Sequence, residues 1–142
     1  MIIREVAFGS PEYEQTLALR DAVLRRPLGL SLTAEDRAGE DKQWHLIAIR
    51  KQVLVGCLVL VPLPGAAVQM RQVVVIPECQ RSGIGTALVA YAEELARSRK
   101  RTSMLLHARL EAVPFYQRLG YAVEGDEFIE VTIPHRVMRK AL

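Results

Sequence analysis

The sequence predicts a mixed α/β (α+β) fold, a mostly antiparallel sheet flanked by helices, in the order β-α-β-β-β-α-β-α-β-β. Three observations predict it. Between Trp44 and Ile76, β-rich runs follow one another with only short turn sequences between them, the pattern of an antiparallel meander. After Gly83 the apolar period lengthens from that of a strand to that of a helix. No repeat, linker or low-complexity tract interrupts the 142 residues, so residues 1–142 read as one domain.

Residues 2–8 read as the first strand. Ser10 then supplies a helix cap and Pro11 a first helical residue without a needed N–H, and Leu17, Leu19, Ala22 and Val23 give the helix an apolar face until Pro27 and Gly29. Residues 30–42 are polar and unpatterned, a loop or a short helix. Residues 44–50 alternate, Lys51-Gln52 turns the chain, residues 53–61 form a second β-rich run, and Pro62-Leu63-Pro64-Gly65 breaks it before residues 67–76. The next helix carries Ile84, Leu88, Tyr91 and Leu95 on one face and ends in Arg97-Ser98-Arg99-Lys100-Arg101, cations that suit a helix C-terminus. A strand over 104–108, a short helix over 112–119 closed by Gly120, and strands around 121–123 and 128–138 complete the order.

Half of the residues are apolar and a quarter are charged, which suits a soluble globular chain and is too apolar for disorder. The longest apolar stretch, residues 53–64, is too short to cross a bilayer, and residues 1–5 lack the apolar centre of a signal peptide. The expected location is therefore cytoplasmic, with no membrane partner. Cys57 and Cys79 stand far apart and read as one core thiol and one loop thiol. Three histidines without metal-like spacing and no paired cysteines predict no metal site. The net charge of +3 is mild, and its basic clusters lie at 97–101 and 136–140. Such clusters suit a polyphosphate or a nucleic acid; the lack of aromatic residues interleaved with them argues against nucleic acid.

The segment richest in chemistry runs from strand through loop to helix, Val73-Val74-Val75-Ile76-Pro77-Glu78-Cys79-Gln80-Arg81-Ser82-Gly83-Ile84-Gly85-Thr86-Ala87. A helix N-terminus exposes unpaired N–H groups and a partial positive charge. Gly83 and Gly85 remove side chains that would block close approach, and Arg81 adds a charge for a phosphate. The segment is not a Walker loop, since no Gly-Lys-Ser/Thr follows, nor the dinucleotide fingerprint, since residue 88 is leucine. A glycine-softened helix start with no ligand is the alternative reading.

Gln80-Arg81-Ser82-Gly83-Ile84-Gly85 resembles the Gln/Arg-x-x-Gly-x-Gly/Ala signature of the GNAT superfamily of acetyl-CoA-dependent N-acetyltransferases. Behind it, Phe115-Tyr116-Gln117-Arg118-Leu119-Gly120-Tyr121 is similar to the family's Phe-Tyr-x-x-x-Gly-Tyr/Phe pattern. The ending Phe128-Ile129-Glu130-Val131-Thr132-Ile133-Pro134-His135, with His107-Ala108-Arg109 before the last helix, is similar to the ElaA-like branch. The resemblance implies that Gln80, Arg81, Ser82, Gly83, Ile84, Gly85 and Thr86 cradle a pyrophosphate. It also implies that the backbone of Val73, Val74 and Val75 pairs with the pantetheine arm of acetyl-CoA, and that a homodimer can form through the final exposed strand.

An acetyl thioester is already activated, so such an enzyme needs few specialised groups. By the resemblance, Tyr116 is the general acid for the departing thiolate; packing beside Phe115 is its structural alternative. An amide near Val74 would stabilise the oxyanion. Many family members carry a glutamate four residues before the counterpart of Val73, where this chain has Gln69, which cannot accept a proton. The base is then absent or is one of Glu130, His135 and His107. Arg71 and Trp44 are candidates for the acceptor cleft, the arginine for a carboxylate and the tryptophan for a flat or cationic group. The expected function is acetyl transfer to a primary amine of a small molecule. A non-catalytic acyl-CoA sensor and a protein acetyltransferase are the alternatives.

Overall fold

Period-two side chains and one two-residue reversal, between the second and third strands, help lay the first four strands side by side. These are β1 (Ile2–Val6), β2 (Trp44–Arg50), β3 (Val53–Pro62) and β4 (Ala67–Val75), each antiparallel to the one before it. The computed structural model describes all 142 residues. The β2–β3 turn places Lys51 and Gln52 at φ 52° and 64°, the left-handed pair that a tight hairpin requires. The chain then crosses over through α2 (Ile84–Ser98) to β5 (Ser103–Arg109), runs through α3 (Val113–Arg118), and returns as β6 (Ala122–Glu130) and β7 (Ile133–Ala141). The seven-stranded sheet has the order β1-β2-β3-β4-β5-β7-β6, with β4–β5 its parallel pair. The mixed, mostly antiparallel sheet with flanking helices is as the sequence predicts.

A bulge in β4 determines everything that follows. Val59 of β3 faces Arg71, yet Cys57, two residues on, faces Val74, three residues on. The extra residue is accommodated at Gln72, whose φ is 51°, and an inserted residue switches the faces of all side chains beyond it. Arg71 and Val74 thus share one face although their numbers differ in parity. Pairing between β4 and β5 stops at Met70 and Leu106. Beyond that point the two parallel strands diverge and leave a cleft in mid-sheet.

Each face of the sheet is covered by different helices. Ile84, Leu88, Val89, Ala92 and Ala96 of α2 pack on the larger core of 18 buried residues. The smaller core, Val6, Tyr13, Ile47, Cys57 and Val74, is covered by α1 (Pro11–Arg20) and the wider and tighter turns that continue it over Asp21–Arg25 and Arg26–Leu28. Ser10 caps α1 through its side chain and Pro11 opens it, as expected. Burial of each large apolar side chain contributes roughly 1.5–3 kcal/mol, so the larger core dominates stability.

Three expectations are corrected. The buried stripe of α2 runs through Ala92 and Ala96, whereas Tyr91 is 38% exposed; the small alanines let the helix axis approach the sheet. The run 128–138 is not one strand, because Val131 and Thr132 reverse the chain at φ 43° and 70°. Two β-branched residues disguise that turn, since they read as strand and rarely adopt such φ values. The last strand is not an edge of the sheet either: β7 lies between β5 and β6, and the edge strands are β1 and β6.

Gly56 shows how tightly α2 is pressed on the bulged strands. A Cβ there would lie 2.8 Å from the Val74 carbonyl oxygen and 3.0 Å from Leu88 Cδ1. The backbone oxygen cannot step aside without moving β4. Gly56→Ala is therefore expected to cost about 1–3 kcal/mol, the range of overpacked cores, measured by chemical denaturation. Stability within a few tenths of a kcal/mol of the parent would show that β4 yields freely at this point.

Candidate functional site

The turn before α2 is built to leave amides free. A short turn over Pro77–Cys79 leads out of β4, the Ser82 hydroxyl donates back to the Cys79 carbonyl, and Arg81 and Gly83 take φ 63° and 87°. Gly83 is the N-cap of α2 and no side chain caps the helix, so the first amides, those of Ile84, Gly85 and Thr86, have no partner within it. The Ile84 side chain is buried in the larger core and pins the turn from beneath. Open space surrounds the position of a Gly83 Cβ, whereas one at Gly85 would meet Phe115 at 3.4 Å.

A cavity of about 700 Å³ extends from this turn along Val73 and Val75 to Phe115 and Tyr116, with Arg81 and Arg118 beside it. It lies on the α2 side of the cleft. Ile76 N–H donates to Val55 O on β3, and since strand amides alternate between edges, the Val74 amide faces β3 too. The amides facing the cleft are those of Val73 and Val75. The Val74 amide, which the sequence offered as an oxyanion donor, is thus turned away from the cleft. Gln80 lines this cavity, and its Nε2 donates to Val75 O at 3.1 Å, at the end of the strand's free edge.

A second cavity, of about 270 Å³, opens on the α1 side and is lined among others by Gln69, Arg71, His107, Arg109, Glu130 and His135. The two cavities share Val73, Ala112 and Tyr116. Here the structure brings together three residues that the sequence offered separately. Glu130 Oε1 accepts from His107 Nδ1 at 2.9 Å, and Glu130 Oε2 lies 3.8 Å from His135 Nε2. His135 Nδ1 lies 2.9 Å from the Ile133 carbonyl, an acceptor, so Nδ1 carries the proton and the neutral ring has its lone pair on Nε2. Register explains the grouping. Arg109 stands opposite His135 and His135 opposite Phe128 across β5, β7 and β6, and the strand period adds His107 and Glu130 to that face.

Tyr116 stands at the junction. It is 7% exposed, its ring meets Phe115 at 4.9 Å and Tyr121 at 5.8 Å edge-on, and burial pushes its hydroxyl well above the ordinary phenol range. Trp44, by contrast, lines neither cavity and lies beneath Arg99 at 4.5 Å; it belongs to the packing and not to the acceptor cleft.

Sequence reasoning missed the buried group that holds the bulge. Arg20, wholly buried, pairs with Glu40, which is 2% exposed, and also donates through Nε to Gln72 Oε1 at the bulge. Tyr13 Oη donates to Glu40 Oε1 at 2.7 Å, and His45 Nε2 lies 2.7 Å from the Glu40 carbonyl. The only signal was an arginine on the apolar side of α1.

The family model described as Acetyltransferase (GNAT) family matches residues 11–121. The uncharacterized protein YyaT of Bacillus subtilis is 32% identical over 78 residues, 55% of this chain, and the chain spans only about half (53%) of that relative's length. Among solved structures, Escherichia coli ElaA superposes at a TM-score of 0.84 over 98% of both chains with 19% identity. An aminoglycoside 6'-N-acetyltransferase complexed with coenzyme A superposes at 0.80 over 99% of this chain and 97% of that one with 20% identity. At those identities the likeness is one of fold.

Proposed function

The chain belongs to the GNAT family of acetyltransferases, and we propose that residues 1–142 form one N-acetyltransferase domain acting on a primary amine of a small molecule, by direct attack on acetyl-CoA in a ternary complex. The observation that carries this reading is the meeting of two unlike cavities at Val73, Ala112 and Tyr116. One lies beneath a turn of free amides and two arginines, which suits a diphosphate. Beside it runs an unpaired strand edge, which suits an amide-bearing arm. The other holds a carboxylate between two imidazoles and is sized for a small acceptor.

The chemistry needs a neutral amine, a donor for the oxyanion and a stabilised leaving thiolate. As the neutral amine attacks, His135 Nε2 takes the proton that its nitrogen must lose, and Glu130 stabilises the imidazolium so formed until it returns that proton to solvent. Glu130 and the two histidines thereby fill the role left vacant by Gln69. The amine nitrogen bonds to the thioester carbon while the Val73 or Val75 amide donates to the oxyanion. The carbon–sulfur bond then breaks, and the sulfur leaves as thiolate facing the Tyr116 O–H. Because burial raises that hydroxyl, Tyr116 acts as a neutral hydrogen-bond donor to the sulfur, and solvent protonates the thiolate on release.

Coenzyme A is expected to raise the melting temperature by roughly 5–10 °C at about a hundred times its Kd, the size linkage gives for a domain of this length. Gly83→Glu is expected to abolish that shift. Its side chain meets open space, so the cost to the fold is confined to the left-handed backbone, about 1–2 kcal/mol, while the carboxylate sits where the diphosphate must. A shift that survives in Gly83→Glu places the nucleotide elsewhere.

A further inference from the structure

We propose that the acceptor amine also carries an anionic group, a carboxylate or a phosphate, held by Arg71 together with Arg25 and Arg109 in the smaller cavity. The inference rests on the acetyl-transfer reading and names the substrate class of that same site. Three guanidinium groups line this cavity against two carboxylates, Asp36 and Glu130. Neither carboxylate is free to neutralise them all. Glu130 is engaged by His107 and His135, and Asp36 lies 3.4 Å from Arg25 Nε and from Arg25 Nη2 and accepts from the Thr33 amide.

The arginines are crowded together rather than spread over the surface. Arg109 Nη2 donates to the Leu24 carbonyl at 2.9 Å, and Arg25 Nη1 approaches the same oxygen at 3.5 Å. Arg25 is only 6% exposed. Loss of hydration lowers Arg109 below the ordinary guanidinium value and Arg25 adds to that, against an opposing pull from Glu111. An anion seated here would relieve both costs. The Arg71 guanidinium pairs with no carboxylate of the chain and has no buried unsatisfied nitrogen, so its donors reach the cavity. It stands on the last turnless stretch of β4 before the bulge, on the face shared with Gln69. A planar fork of donors so placed matches the two oxygens of a carboxylate or phosphate. A polycation would meet like charge on this wall.

Two matched pairs test the proposal with acetyl-CoA and a free-thiol readout: glutamate against glutamine α-amide, and glucosamine 6-phosphate against glucosamine. At least one anionic member is expected to exceed its uncharged counterpart at least tenfold in kcat/KM, equivalent to about 1.4 kcal/mol, and the responding pair tells carboxylate from phosphate. In Arg71→Gln that ratio is expected to fall to near one with the KM for acetyl-CoA unchanged. Equal or faster turnover of the uncharged members, or of spermidine, overturns the anionic acceptor and leaves acetyl transfer standing. Absence of turnover with every amine counts against the transferase reading. The acceptor inference is then decided by titrating the same probes into coenzyme A-loaded protein, where equal binding of charged and uncharged members overturns it.

Discussion

Glu40→Ala is expected to lower the stability of the protein by about 3–5 kcal/mol, the usual cost of removing one partner from a buried ion pair. Arg20 is wholly buried and Glu40 is its only carboxylate, so the variant leaves a cation with no counter-charge and the Tyr13 hydroxyl with no acceptor. Against a typical domain stability of about 5–15 kcal/mol this is a large fraction. Arg20→Met combined with Glu40→Leu is expected to recover part of the loss, because two apolar groups of similar volume carry no charge-desolvation penalty, while the Tyr13 hydroxyl and Gln72 Oε1 stay without their partners. Urea denaturation of the three variants measures it. A loss below about 1 kcal/mol in Glu40→Ala would show that water reaches Arg20 and that the pair is not what fixes the bulge.

The same residue contributes to the acid limb of stability. Burial alone would raise the Glu40 carboxyl, but hydrogen bonds from Arg20 and Tyr13 and the charge of Arg20 outweigh it and hold it below the ordinary value of 4.5. A carboxyl lowered by folding contributes its full stabilisation above the unfolded value, and loses it as pH falls through the folded one. Stability is therefore expected to decline from about pH 4.5 downward in the parent, and less steeply in Glu40→Gln.

What was legible in the chain and what was not divides along the range of the interactions. The meander, the cap at Ser10, the hairpin at Lys51-Gln52 and the glycine turn before α2 all arise from residues adjacent in sequence, where a cap or a left-handed φ leaves a local mark. The Arg20–Glu40–Gln72 group joins three elements 20 and 52 residues apart from Arg20, and no period or motif records such a meeting. His107, Glu130 and His135 were each visible as candidates. Their convergence depends on the order β5-β7-β6, which in turn depends on a Val131-Thr132 turn that two β-branched residues conceal. The parity switch at Gln72 was illegible for the same reason. A bulge that depends on a distant arginine leaves no trace in the strand that carries it.

Tyr116→Phe is expected to reduce kcat by about 10²-fold, the lower end of what an oriented donor to developing charge contributes, while leaving the melting temperature and its rise with coenzyme A nearly unchanged. The ring's edge-on contacts with Phe115 and Tyr121 survive the substitution, and no group of the chain hydrogen bonds to the hydroxyl, so packing has little to lose. Because burial lifts the hydroxyl far above an ordinary thiol value of about 8.5, complete proton transfer to the sulfur is uphill. Stabilisation by the intact O–H is what remains. The parent's kcat should therefore show no alkaline loss attributable to tyrosine up to about pH 10, whereas a true proton donor matched to the thiolate would titrate in that range. A kcat within threefold of the parent in Tyr116→Phe would reduce Tyr116 to a wall between the two cavities, and leave the departing sulfur to solvent alone.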